Sequence, residues 1–258
     1  MSLQNQAPRH QTLDGKYAIV TGGGRGIGRG IALALAKAGA GVAILESDPE
    51  TGPRTADEAT ALGGDAFALA GSVRERADCE AIVTAAVDRF GGVDLLVNNA
   101  QQVPMGPLDQ CTDDDMYTAW ESGALAAFRL MQLCHPVMRE RGGGAIVNLG
   151  SGAGTEGVAG LGAYAVAKEG IRALTKIATL EWGPDNIRVN TVCPWAENAY
   201  WTGLSDRQRD ARLAHNPLRR IGDPEADIGA VVVFLAGEAG SYVTGQTIHV
   251  DGGNMGFR

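Results

Sequence analysis

The 258 residues include 45% hydrophobic side chains, enough to fill a large α/β core, and 30 acidic against 22 basic residues give a formal net charge of −8. That balance argues against a nucleic-acid surface or an anionic-membrane surface. The four cysteines, Cys79, Cys111, Cys134 and Cys193, form no C-x-x-C pair and have no histidine at zinc-ligand spacing, so they read as isolated reduced thiols and no metal site is expected.

Residues 1–13 are polar, lack an apolar signal core and read as a flexible arm before a single domain over 14–258. No run approaches the ~18 apolar residues of a membrane span, so the expected location is cytoplasmic. Residues 17–20 form a short apolar run that reads as a buried strand. It breaks at Thr21 into a turn carrying Gly22, Gly23, Gly24, Gly26 and Gly28. Ile27, Ile31, Leu35 and Ala38 then recur at helical spacing. Residues 41–45 predict a second strand ending at Glu46, and 51–62 a helix. A third strand is expected over 66–70 and a helix over 74–90, with Ile82, Val83, Ala86 and Val87 as its apolar stripe. Residues 93–97 predict the fourth strand, running into Asn98-Asn99-Ala100. Residues 113–141 read as mostly helical, with Asp113 to Asp115 placing negative charge at the positive end. The fifth strand is expected over 145–149, followed by Ser151. Residues 161–182 predict a helix bearing Tyr164 and Lys168. The sixth strand, 187–192, is expected to stop at Pro194. Residues 195–217 lack a clean period and are expected to cover the site with a loop and short helices. A helix over 225–235 and a seventh strand over 247–250 complete the pattern. Strands alternating with helices predict an α/β fold, with a doubly wound parallel sheet covered on both faces.

A strand, a glycine turn and a helix together make a phosphate-binding design. Glycines let the backbone approach a pyrophosphate, and the helix N-terminus offers unpaired N–H groups and the positive end of its dipole. No Gly-Lys-Ser/Thr follows, which sets aside a P-loop. Glu46 lies 18 positions after Gly28. An acidic residue at about that distance accepts hydrogen bonds from the adenosine ribose, and its charge repels a 2′-phosphate. Glu46 therefore points to NAD, although Arg25 and Ser47 leave NADP open. In such a sheet ligands sit beyond the carboxyl ends of the strands. The glycine turn, Glu46, Asn98 to Ala100, Ser151 and Pro194 should therefore share one crevice. Tyr164 and Lys168, four apart, share one helix face. An ammonium beside a phenol lowers its pKa, which suits general acid/base work. Ser151, 13 positions earlier, is placed to bind a substrate oxygen.

Taken together, these motifs resemble the short-chain dehydrogenase/reductase family in its compact, single-domain branch. The runs that carry the resemblance are LDGKYAIVTGGGRGIG, NNA at residues 98–100, AIVNLGS ending in Ser151, YAVAK at residues 164–168, IRVNTVCP and FLAGEAGSYVTGQTIHVDGG. The resemblance implies a Rossmann-like seven-stranded sheet and hydride transfer between NAD(P) and a secondary alcohol or ketone. It implies Tyr164 as acid/base, Lys168 tuning Tyr164 and holding the nicotinamide ribose, and Ser151 orienting the substrate. Cofactor contacts are implied at Gly22, Arg25, Gly26, Ile27 and Gly28 in the turn, then at Glu46, Ser72, Val73, Asn99, Ala100 and Pro194. Gln101, Ser151, Trp195, Tyr200 and Trp201 are the expected substrate-binding residues. A homotetramer is implied, with the seventh strand and the 225–235 helix at one interface. Four positions depart from the family pattern. Gln101 stands where NNAG has glycine, and Gly123 where a helical asparagine completes a catalytic tetrad. Trp195 follows Pro194 in place of glycine, and Ser72 replaces an adenine-contacting aspartate. Gly123, Gln101 and Trp195 support an alternative reading, a nucleotide-binding scaffold or regulator with little catalysis.

Overall fold

The computed structural model describes residues 13–254. Seven parallel strands form one sheet: β1 (Tyr17–Thr21), β2 (Gly41–Glu46), β3 (Ala66–Ala70), β4 (Leu95–Asn98), β5 (Gly144–Leu149), β6 (Ile187–Pro194) and β7 (Thr247–Val250), in the order β3-β2-β1-β4-β5-β6-β7. The connecting helices include α1 (Gly26–Lys37), α2 (Thr51–Ala61), α3 (Arg76–Phe90), α4 (Asp113–Ser122) and α5 (Ala124–Glu140). After β5 come α6 (Gly152–Glu156) and α7 (Gly162–Trp182), and after β6 the short α8 (Ala199–Thr202), α9 (Asp206–Leu213) and α10 (Ala230–Ala236). The expected Rossmann-like, doubly wound sheet is what forms.

The two-residue period of the strands divides the core. In β1, Ala18 and Val20 join Ile31 and Leu35 of α1 on one side. Ile19 joins Ile82 of α3 and Leu130 of α5 on the other. Each such buried aliphatic side chain contributes about 1.5–3 kcal/mol. Strands are laid outward from β1 first through β2 and β3, then from β4 to β7. The reversal between β1 and β4 leaves a crevice beyond their carboxyl ends.

The structure differs from the sequence expectations at four places. The helix expected over 113–141 is two helices, because Gly123 (φ −107°, ψ −94°) leaves helical geometry between α4 and α5. Strand β6 runs through Pro194, which stays in register with Val250, and the next N–H, that of Trp195, supplies a bond to the Val250 carbonyl at 3.0 Å. The helix expected from residue 225 opens with a wide π-type turn, Pro224–Gly229, capped by the Asp223 carboxylate on the Glu225 and Ala226 N–H groups. This turn packs so closely on α1 that a Cβ at Gly30 would lie 2.4 Å from the Pro224 carbonyl carbon. Leu13, expected in the arm, is buried at 2% exposure and its N–H bonds to the Ala38 carbonyl. The rest of that arm lies outside the described residues.

The tightest approach of a glycine to backbone among the described residues is at Gly28, where a Cβ would stand 2.0 Å from the Gly22 carbonyl oxygen and 2.5 Å from Asn99 Nδ2. Backbone cannot move aside as a flexible side chain can. Gly28→Ala is therefore expected to destabilise the protein by about 3 kcal/mol and to abolish cofactor binding. Thermal unfolding and NADH fluorescence check this, and a variant that binds NADH normally would contradict it.

Candidate active site

The glycine turn is held from three sides. Thr21 Oγ1 accepts from the N–H groups of Asn99 and Ala100, at 3.0 and 3.1 Å. Asn99 Nδ2 donates to the Thr21 and Gly22 carbonyls, at 2.9 and 3.0 Å. Glu46 Oε2 accepts from the Gly24 N–H at 2.9 Å, and Oε1 from the Ser47 N–H at 2.8 Å. Glu46 is thus 6% exposed and clamped by backbone, a structural duty that residue spacing did not reveal. Asn99, expected on the cofactor side, likewise joins the turn to β4. The α1 N-terminus that follows has neither a side-chain cap nor an acidic residue in its first turn. Its free N–H groups, the positive end of the helix dipole and the bare glycines make a cradle fitted to a pyrophosphate.

A crevice of about 1370 Å³ opens over this turn. That is larger than the ~300–1,000 Å³ usual for one drug-sized ligand and leaves room for a second molecule. Gly22, Arg25, Gly26, Ile27, Gly28, Glu46, Ser72, Val73, Asn99, Ala100 and Pro194 all line it, as do Ser151 and Tyr164. Ser72 is positioned by its own N–H bond to Asp78 Oδ2 at 2.8 Å, and its hydroxyl accepts from the Arg74 N–H.

Ser151 caps α6, its hydroxyl accepting from the Ala153 N–H at 3.1 Å. Tyr164 lines the crevice with it, near enough for Ser151 to act on its phenol. Lys168 lies beneath, 2% exposed, with Nζ donating to the Leu149 carbonyl at 2.6 Å and 5.5 Å from the Tyr164 ring centre. A buried ladder seats the helix that carries the pair. Asn98 Nδ2 donates to Asn148 Oδ1 at 2.8 Å, Asn148 Nδ2 to Thr175 Oγ1 at 2.9 Å, and Thr175 meets Thr191 at 2.9 Å. The sequence reading expected a lowered phenol pKa. In the structure burial pushes the Tyr164 hydroxyl up, opposed by the nearby Ser151. Lys168 instead is pushed down to about 8 by burial. The phenol therefore stands protonated at neutral pH.

Residues 195–217 contain α8 and α9, and Trp195, Glu197, Asn198, Trp201, Thr202 and Arg212 among them line the crevice. The cap is rooted where Trp195 and Glu197 exchange backbone bonds with Gly222. Asn198 reaches over the glycine turn, 3.8 Å from where a Cβ on Gly26 would be. Trp195 and Trp201 meet edge-on at 4.9 Å. Trp195 and Trp201 both touch the crevice, but Trp201 is 3% exposed and works chiefly as packing inside the cap. The side chain of Tyr200 lies outside the described residues. Gln101 lines the crevice as expected, beside Ser122, which the sequence reading missed. Also missed were Val103, Met105, Val158 and Leu161, which make an apolar wall. They sit in irregular segments where periodicity carries no signal. Among the described residues no cluster suits a metal ion, and no helix is long and apolar enough to cross a membrane. All four cysteines are free.

Lys168 gives a pH prediction. Its ordinary value is 10.5 and its folded value about 8. The unfolded chain therefore binds its proton more readily, so stability rises as pH climbs from 8 to 10.5, by about 3 kcal/mol. The buried thiols act in the opposite sense above pH 9. The measurement is therefore the stability difference between the cofactor-free native protein and Lys168→Met, which should shift in favour of the native protein over that range. A flat difference would contradict it.

Comparison with known proteins agrees with this geometry. A family model described as enoyl-(acyl carrier protein) reductase matches residues 22–254. The chain is 40% identical to a 12α-hydroxysteroid dehydrogenase of Clostridium sp. (strain ATCC 29733 / VPI C48-50), over 95% of this chain and 98% of that one. It is 39% identical to a 3-oxoacyl-(acyl-carrier-protein) reductase of Vibrio cholerae serotype O1, over 93% of this chain and 98% of that one. It superposes with a TM-score of 0.90 and 34% identity on a 7α-hydroxysteroid dehydrogenase solved with NADH and 7-oxo glycochenodeoxycholic acid, covering 96% of this chain and 97% of that one. With the glycine turn, the seven-stranded sheet, and Ser151 and Tyr164 in one crevice over the buried Lys168, the chain belongs to the short-chain dehydrogenase/reductase family, the NAD(P)-dependent oxidoreductases that move a hydride between nicotinamide and an alcohol or ketone.

Proposed function

We propose that the protein is an NAD-dependent dehydrogenase of a secondary alcohol, or reductase of the matching ketone, on a bulky apolar skeleton. The observation that carries this reading is the Ser151–Tyr164 hydroxyl pair on the crevice wall, with Lys168 buried below it and the α1 N-terminus opposite. Bound nicotinamide supplies or accepts the hydride, and the side chains of the protein manage the proton. Ser151 holds the substrate oxygen. Tyr164, kept protonated by burial, donates its proton to that oxygen as a ketone is reduced. In the reverse direction Tyr164 must first release its proton to solvent, and the phenolate, stabilised by the charge of Lys168 below its ring, then takes the proton from the alcohol. The α1 N-terminus, with Gly22, Arg25, Gly26, Ile27 and Gly28, would bind the pyrophosphate, and Ser72, Val73, Ala100 and Pro194 would line its path.

NAD is preferred because the Glu46 carboxylate is fixed at the end of β2, where a 2′-phosphate would stand. The apolar wall of Val103, Met105, Val158 and Leu161, with Trp195, favours a rigid ring system. The similarity to two hydroxysteroid dehydrogenases supports that choice. An acyl thioester, suggested by the reductase relative, is the competing substrate in the test. A homotetramer fits two separate apolar faces. One is Val166, Ile177 and Leu180 on α7 with Tyr117 and Phe128, and the other is Phe234 with the fully exposed Tyr242 near β7. Four unpaired cysteines suit a cytoplasmic setting.

The test is titration with NADH and NADPH by cofactor fluorescence, followed by turnover of oxo-steroids and 3-oxoacyl thioesters. NADH should bind at least about tenfold more tightly, an advantage of about 1.4 kcal/mol, and oxo-steroids should be reduced faster. Tighter NADPH binding would overturn the role given to Glu46, and faster thioester reduction would overturn the substrate class.

A further inference from the structure

Two departures from the family pattern, 22 residues apart in sequence, touch in space. The Gln101 carboxamide turns back beneath α4. Its Nε2 donates to the Gln102 carbonyl at 2.8 Å, the Ala119 carbonyl at 2.9 Å and Ser122 Oγ at 3.2 Å. Ser122 Oγ accepts from the Gln102 N–H at 3.0 Å and donates to the Thr118 carbonyl at 2.7 Å. Two carbonyl acceptors fix which end of the amide is nitrogen, since a flipped Gln101 would set oxygen against oxygen. Its Oε1 is consequently shut from solvent with no donor in reach. That oxygen rests on Gly123: a Cβ there would lie 2.2 Å from Oε1 and 3.0 Å from Cδ. No side chain at residue 123 can coexist with Gln101 in this seat.

The pair lies at the break between α4 and α5, and that break bears on α7. Ala119, whose carbonyl Gln101 holds, packs against Ala163 and Ala167. Ala124, the first residue after the break, packs with Ala127 against Ile171. A Cβ at Gly170 would meet Trp120 at 2.9 Å and Ala124 at 3.1 Å. Of these α7 residues, Ala163 and Ala167 adjoin Tyr164 and Lys168 in sequence, and Gly170 and Ile171 follow Lys168 within one helical turn. The small residues leave no soft layer to absorb a shift, so a displaced break displaces the pair.

We propose that Gln101 is a positioning residue for Tyr164 and Lys168, delivering from the loop after β4 the amide that a family member would carry at position 123. On this account Gly123 is a required partner of Gln101, not a lost catalytic group. The functional half of the proposal rests on the acid/base reading of Tyr164, whereas the pairing of residues 101 and 123 does not.

The test is a double-variant cycle with Gly123→Asn, Gln101→Gly and both together. Thermal unfolding, NADH affinity, and the kcat, KM and pH profile of oxo-steroid reduction are read for each. Gly123→Asn should lower Tm by about 5 °C and kcat by about tenfold. Gln101→Gly should also lower kcat by about tenfold, with NADH affinity within about threefold of native in every variant. The double variant should regain Tm, return kcat to within about threefold of native and restore a pH profile displaced in both single variants. A merely structural defect would not move the pH profile. Additive losses in the double variant, or a Gly123→Asn protein as stable as native, would overturn the pairing. Recovery of Tm without recovery of kcat and of the pH profile would overturn the positioning role. If the native protein reduces no oxo-steroid, the substrate reading fails, and the Tm cycle still decides the pairing.

Discussion

The contact between Gly28 and the Gly22 carbonyl is the constraint on which the crevice depends. With no Cβ at Gly28, α1 begins directly against the turn that ends β1, and Asn99 packs beside Gly28 while donating to the Gly22 carbonyl. The first turn of α1 then faces the crevice with its N–H groups uncommitted. The order of strands places β4 beside β1, so the loop after β4 forms the opposite wall. On the proposed reading, phosphate binding and substrate binding are both set by one packing event. A larger residue at that point would separate α1 from β1 and disconnect the cradle from the wall that carries Ser151.

The chemistry depends on a second, polar constraint. Parallel strands buried on both faces leave few places for hydrogen-bonding side chains, yet Asn98, Asn148, Thr175 and Thr191 form a ladder through the sheet core. It fixes α7 over β5, and Lys168 reaches the Leu149 carbonyl at the strand end. Lys168 is destabilising as a buried cation at neutral pH, and its position beneath the Tyr164 ring is what that burial secures. On the proposed reading, stability and function pull in opposite directions at this residue, which is why its contribution is expected in a pH profile.

Much of this was legible in the sequence because a parallel α/β sheet has a simple grammar. Apolar runs bounded by glycine mark strands, and topology brings strand ends together, so Glu46, Asn99, Ser151 and Pro194 were placed on one crevice without any knowledge of distances. Other features depend on contacts between segments remote in sequence. The break at Gly123 looked like a glycine tolerated inside a helix. Nothing in residue spacing shows that Gln101, 22 positions earlier, fills the space above it. Glu46 was read as a ligand for ribose, and its Oε2 also clamps the glycine turn, because the same strand end that faces the ligand faces Gly24. Trp201 was read as either a substrate wall or plain packing, because an aromatic that packs inside the cap has the same sequence signature as one that faces the ligand.

The central claim is that Tyr164 and the cofactor cradle act on one substrate in one crevice. It is tested most directly by hydride tracing under single turnover, with NADH carrying deuterium on the transferred position and a 7- or 12-oxo steroid as acceptor. The account predicts one deuterium on the new carbinol carbon with the native protein. Tyr164→Phe should bind NADH as tightly but transfer deuterium at least about a hundredfold more slowly. Undiminished transfer by Tyr164→Phe, or tight NADH binding by the native protein with no deuterium in any product, would contradict it.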